Sequence, residues 1–202
     1  MKKLILLIIT IMGGQLLMRG AETAESILKH VVDNMRQGPV DVQFDITGSG
    51  ISQSGIIILD NNKFVIKSDE LSIWYNGKTQ WTLSPSINEV NISTPTRDEL
   101  AEINPLIILS SLSSQFNAEM AGSMTGTYDI RLVSRDTGAA ISSAIVKVNS
   151  ASWSPRAIEL HTSTGQKYTI TVKALKKLTH VDSNTFKFNP KEYPGVEIID
   201  LR

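Results

Sequence analysis

The sequence predicts a mainly β domain, built as one strongly curved antiparallel sheet or barrel. Three observations carry this. Short segments that alternate apolar and polar residues recur from Val40 to Asp200. Turn-forming residues divide them at intervals of about 8–12 residues, the spacing of all-β barrels and sandwiches. Only two stretches show helical spacing instead, one ahead of the strands and one in their middle.

The leading stretch, Glu22 to Arg36, places Ile27, Leu28, Val31, Val32 and Met35 on one helical face. Glu25, Lys29, Asp33 and Arg36 fill the other, and Gly38-Pro39 ends the helix. Val40 to Gly48 then alternates strictly, with Val40, Val42, Phe44 and Ile46 on one side. Gly55 to Leu59 is a continuous apolar run, and Asp60-Asn61-Asn62 turns the chain. Lys63 to Lys67 alternates again, with Phe64 and Ile66 sharing a face. Leu71 to Tyr75 leads into Asn76-Gly77, a strong hairpin signal, and Thr79 to Leu83 returns from it with Trp81 and Leu83 on one face. Glu89 to Ser93 follows a Ser84-Pro85-Ser86 turn.

The middle stretch, Thr94 to Leu112, holds a capped helix start at Thr96 and Arg97 to Leu100. A second short helix begins at Asn104-Pro105, covers Leu106 to Leu109 and runs into the polar residues Ser110 to Gln115. Strands resume at Tyr128 to Ser134, Ala144 to Asn149, Arg156 to His161, Gln166 to Leu175, Thr185 to Phe188 and Val196 to Asp200. The chain shows no internal repeat, long linker or low-complexity tract.

Residues 1–21 read as a cleavable export signal. Lys2 and Lys3 precede the apolar run Leu4 to Met12, which weakens at Gly13-Gly14-Gln15 and stops at Arg19, short of the ~20 apolar residues that span a bilayer. Residues 22–202 form the mature domain, large enough for one substantial core. The leader holds three of the 20 basic residues (Lys2, Lys3, Arg19) and none of the 20 acidic ones, so the mature domain carries about −3. That charge offers no electrostatic footprint for nucleic acid. The absence of cysteine excludes disulfides, thiolate metal sites and a lipidated N-terminal cysteine. The chain is therefore expected to be exported, to the periplasm, with only transient membrane contact.

Nothing in the sequence points to catalysis. His30, His161 and His180 lie far apart, and none belongs to a zinc-binding helical pair. No serine sits in a nucleophile elbow. Gly48-Ser49-Gly50 lies between two strands, so it does not read as a phosphate loop. The expectation is a non-enzyme with no metal or cofactor. What stands out is apolar material beyond the needs of a half-buried sheet: Gly55 to Leu59 is apolar on both faces, and Pro105 to Leu109 is a wholly apolar helical turn. Two readings fit that turn: a plug in the core, or a lid over a cavity for alkyl chains, each CH₂ of which gains about 0.8 kcal/mol on leaving water.

Several segments, in order, resemble LolA, the family of periplasmic outer-membrane lipoprotein carriers. They are Leu71-Ser72-Ile73-Trp74-Tyr75-Asn76-Gly77-Lys78-Thr79-Gln80-Trp81, the following Ser84-Pro85 and Glu89-Val90, the lid-like Asn104 to Leu109, and the ending Phe186-Lys187-Phe188-Asn189-Pro190 with Gly195 to Asp200. The resemblance implies an open, unclosed barrel of about eleven antiparallel strands with an N-terminal helix and a short helical lid. It implies a monomeric carrier that takes acylated lipoproteins from an inner-membrane ABC exporter and hands them to an outer-membrane acceptor. Matching motifs assign lipid contact to Phe64, Ile66, Ile73, Leu106, Leu109 and Leu160, and strand parity adds Trp81 and Leu83. A lipid-binding or envelope-sensing module of the same fold is the alternative. The sequence departs from the family at Asp60-Asn61-Asn62-Lys63, where the carriers place an arginine before a proline to latch the lid; an uncharged latch at Asn61 is expected to be weaker.

Overall fold

A computed structural model describes residues 22–202. The expected export signal, residues 1–21, lies outside them, as does the side chain of Leu109. Helix α1 (Ala24–Met35) opens the fold, and its start is fixed by a capping box in which Thr23 and Ser26 exchange side-chain and backbone hydrogen bonds. Six strands follow: β1 (Val40–Gly48), β2 (Ile51–Asp60), β3 (Lys63–Ser68), β4 (Ser72–Tyr75), β5 (Gln80–Ser84) and β6 (Glu89–Ser93). Two helices, α2 (Arg97–Ile103) and α3 (Pro105–Gln115), connect them to β7 (Phe116–Met124), β8 (Thr127–Ser134), β9 (Ile141–Asn149), β10 (Pro155–Thr162) and β11 (Lys167–Lys177). Two short 3₁₀ turns, Ser183–Phe186 and Pro190–Glu192, lead to β12 (Glu197–Asp200).

All twelve strands join one sheet, in the order β12-β6-β5-β4-β3-β2-β1-β11-β10-β9-β8-β7. Every pairing is antiparallel except β12 with β6. The sheet does not close, so the open-barrel expectation holds, with twelve strands against the eleven or so that the resemblance implies. The strand that the sequence did not mark is β7. Beyond Phe116 most of its residues are exposed, and Asn117 to Met124 holds no β-branched residue, so no alternation marks it. The expected strand at Thr185 to Phe188 is instead a 3₁₀ turn whose single buried residue is Phe186.

Two apolar layers occupy the inner face. Ile27, Leu28 and Val31 of α1 pack on Ile130, Leu132, Val146 and Val148 from β8 and β9. A second group gathers Met35 with Val40, Leu59, Phe64, Ile73, Tyr75 and Leu106. The outer face of β3–β6 is buried as well, because the C-terminal segment lies across it. Phe186 and Phe188 pack there with Val65, Trp74, Leu83 and Val90. Trp74 meets Phe188 and Tyr193 edge-on at 5.5 and 5.7 Å, while Lys67 and Lys63 cap the Trp74 and Phe186 rings. Burial on both faces is why Ile57-Ile58, Phe64-Val65 and Ile73-Trp74 are apolar doublets: within each, one side chain serves the inner layer and the other the outer.

Candidate functional site

β6 and β7 follow each other in sequence, yet β7 forms one edge of the sheet and β6 lies next to the other, just inside β12. Residues 94–115 must therefore cross the opening between the two wings, and this crossing is α2 and α3. Thr96 caps α2 in a second capping box: it accepts the Glu99 amide and gives its own amide and hydroxyl to the Glu99 carboxylate at 2.7 and 2.9 Å. Those donated bonds hold the Glu99 carboxyl below its ordinary value.

Asn104 joins the two helices and is almost fully buried. Its backbone amide closes α2 on Leu100, and its Oδ1 accepts the amides of Leu106 and Ile107 to start α3. Its Nδ2 donates to the Asn62 carbonyl at 3.5 Å, the tie between this connection and the β2–β3 turn. Asn61 does not supply that tie: it sits at φ +55° and its amide donates to Asp60. Arg36, Asn61, Asn62, Asn104, Leu106 and Ile107 line a hollow of about 320 Å³ here, so an arginine does border this rim, although it comes from the end of α1 rather than from the turn.

Beneath Asn104, Leu106 enters the inner layer against Phe64, Ile73 and Tyr75, with Ile57, Ile66, Leu100, Ile103 and Val172 around it. The Phe64 and Tyr75 rings lie 5.4 Å apart. Burial pushes the Tyr75 phenol up, which keeps it neutral in an environment that disfavours charge. Nearly two turns further along α3, Leu112 packs on the α1 layer, so α3 bridges both inner groups. Chemically, the site is an apolar surface covered by α3. No group of metal-binding side chains occurs among the described residues.

A family model described as outer membrane lipoprotein carrier protein LolA matches residues 16–166 of the chain. The chain belongs to the LolA family. The match ends before β11, the C-terminal segment and β12. Comparison with curated protein sequences gives no match. Among solved structures, an uncharacterised conserved protein from Thermus thermophilus shares the fold at a TM-score of 0.61 and 13% identity, over 88% of this chain and 98% of that one. A LolA superfamily protein from Nitrosomonas europaea aligns at 0.43 and 13%, over 83% and 99% of the two chains. MucB in the MucA/MucB complex of Pseudomonas aeruginosa aligns at 0.48 and 12%, over 83% of this chain and 62% of that one.

Against the LolA-based expectations, the structure brings Phe64, Ile66, Ile73 and Leu106 together on the inner face. Leu160 is also on the inner face, but in the layer beneath α1. Trp81 and Leu83 do not join them. In the β4–β5 register Trp81 pairs with Trp74 and Thr82 with Ile73, so Trp81 and Leu83 belong to the outer face under the C-terminal segment. Parity rightly placed these two together, but an apolar strand cannot reveal which face is inner when both are buried. Sequence reasoning also missed Asn104 and Tyr75. The Asn-Pro dipeptide and the apolar partner of Phe64 across β3–β4 were the available signals.

Proposed function

We propose that this chain is a periplasmic carrier that binds the acyl chains of lipoproteins on its inner face and moves them between membranes. The carrying observation is Leu106, seated against Phe64, Ile73 and Tyr75 from a helix that crosses the open side of the sheet. Membership of the LolA family supports the same reading. In this reading an inner-membrane ABC exporter loads the monomeric carrier, an outer-membrane acceptor unloads it, and no catalytic step takes part.

The physical difficulty of such a carrier is release. Acyl chains gain about 0.8 kcal/mol per buried CH₂, so an open apolar trough would hold several chains too tightly. Leu106 removes that difficulty, because cargo must displace contacts that the protein already makes with itself. Net affinity becomes a difference between two large terms, and a partner that favours one lid position can tip it.

The test is native mass spectrometry of the protein drawn from its own cell envelope. Bound triacylated lipoprotein is the expected result. Bound free phospholipid would replace the reading with a lipid transporter, and an empty protein would replace it with an interaction or sensing module. Hydrolysis of a lipid ester by the pure protein would refute the non-catalytic part.

A further inference from the structure

The inner face changes character at β5. On β1–β4 the residues packed with Leu106 are apolar, Phe64, Ile66 and Ile73 among them, and Tyr75 closes the group. The strand register carries the same two rows onward, because directly paired residues share a face. Tyr75 stands beside Gln80 and Gln80 beside Ser93, while Ile73 stands beside Thr82 and Thr82 beside Asn91. Gln80, Thr82, Asn91 and Ser93 are all half-buried, so the apolar floor gives way to a polar one without a break in the sheet.

Gln80 stands apart among these residues. Its Nε2 donates to Thr82 Oγ1 at 3.1 Å, two residues along the same strand. Its Oε1 is buried and has no hydrogen-bond partner among the described residues. A side-chain amide that served the fold alone would use both of its ends; here the acceptor end has lost water and gained nothing. The turn before it holds the residue in place. Asn76 Oδ1 accepts the Lys78 and Thr79 amides at 3.0 and 2.9 Å, and the Asn76 amide donates to the Thr79 carbonyl. That turn also abuts Asn62, to which Asn104 is tied: a Cβ on Gly77 would lie 3.2 Å from Asn62 Nδ2. Gln80 thus follows the part of the sheet where the helix pair is fastened.

An unpaired acceptor in a half-apolar site favours a ligand that brings its own N–H or O–H. Acyl lipids differ on this point. The two chains of a glycerophospholipid are joined through esters, which offer acceptors only. A triacylated cysteine has two ester-linked chains and a third joined through an amide, whose N–H is a donor at the chain junction. With the chains lying on β1–β4, that junction falls where the floor turns polar, at β5.

We propose that Gln80 Oε1 accepts the N–H of the amide-linked acyl chain, and that this bond separates N-acylated lipoprotein from phospholipid on the inner face. The proposal rests on the carrier reading and supplies its selectivity. The test is titration of the delipidated protein with two synthetic triacyl-cysteine lipopeptides, identical except that one is methylated at the acyl amide nitrogen. The wild type should bind the N–H ligand about tenfold more tightly than the N-methyl ligand. Gln80→Met and Gln80→Leu, similar in size but without an acceptor, should bring the two affinities to within about twofold by weakening the N–H ligand. Binding of the N-methyl ligand should be undiminished in both variants, which also shows that they are folded. Equal affinities in the wild type would overturn the assignment and leave the carrier reading standing. So would a preference that persists in both variants, since it would then come from the bulk of the methyl group. Binding of neither lipopeptide to the wild type would remove the carrier reading and this proposal together.

Discussion

A methyl group at position 55 has nowhere to go. A Cβ built on Gly55 meets the Phe44 ring at 2.5 Å and the Lys67 carbonyl oxygen at 2.7 Å. Glycine there lets Phe44 fold over the opposite strand and stay 8% exposed at the end of the inner layer. Gly55→Ala should therefore destabilise the domain by about 1–3 kcal/mol, as overpacking does, read as a shift of the urea midpoint. Phe44→Ala in the same chain should not restore stability, because the Lys67 carbonyl is backbone and cannot move aside. Full rescue by the double variant would show that the ring alone sets the requirement. Asn104 is the corresponding residue in the lid. Its side chain serves two orphan amides and one distant carbonyl, so Asn104→Ala should cost about 0.5–2 kcal/mol locally and speed hydrogen exchange at Leu106 and Ile107. Unchanged exchange at those two amides would mean that the cap does not hold the lid.

At the scale of elements, the entry to the lid carries a charge whose loss can be observed. Glu99 sits below its ordinary value of 4.5 because the Thr96 amide and hydroxyl donate to its carboxylate. A folded-state value below the unfolded one gives support that is complete above about pH 4.5 and fades as pH falls through the lower folded value. The Thr96 amide proton should accordingly titrate by NMR with a midpoint below 4.5, and Glu99→Gln should remove that titration. A midpoint at or above 4.5 would show that the carboxylate is not held by the cap. This capping start was legible in Thr96 and Arg97 to Leu100, as were the strands with strict alternation. β7 was not legible, since an edge strand exposed for most of its length needs no apolar face. Nor was the role of Phe186 and Phe188: their spacing of two fits a strand, and their actual use is to pin a coiled segment on the outer face through Trp74 and Tyr193. The same double burial hid which side of β5 faces inward, so Trp81 and Leu83 could be paired with each other but not assigned to a face.

For the whole molecule, the decisive fact is topological. A sheet in which β7 forms one edge while β6, its predecessor in sequence, lies beside the other forces their connection across its mouth, and that connection is the helix pair carrying Leu106. The helix pair is continuous in chain with both wings, with β6 through α2 and with β7 through α3, and its Asn104 corner is held besides by Asn104 on Asn62 and Leu106 on Phe64 and Ile73. Only these side-chain ties can be broken without tearing the fold, which predicts motion at the Asn104 corner between two fixed ends. The chain contains no cysteine, so two introduced cysteines can be spin-labelled without background. Lys78→Cys reports on the β4–β5 turn and Ser110→Cys on α3, both at exposed positions. Without ligand, the pair should give one short, narrow distance by pulsed electron resonance. A synthetic triacyl-cysteine lipopeptide should lengthen and broaden it, because cargo can bind beneath the lid only by displacing Leu106. An unchanged distance with lipopeptide demonstrably bound would mean that acyl chains reach the protein by another surface, and that the crossing helix is a fixed part of the core.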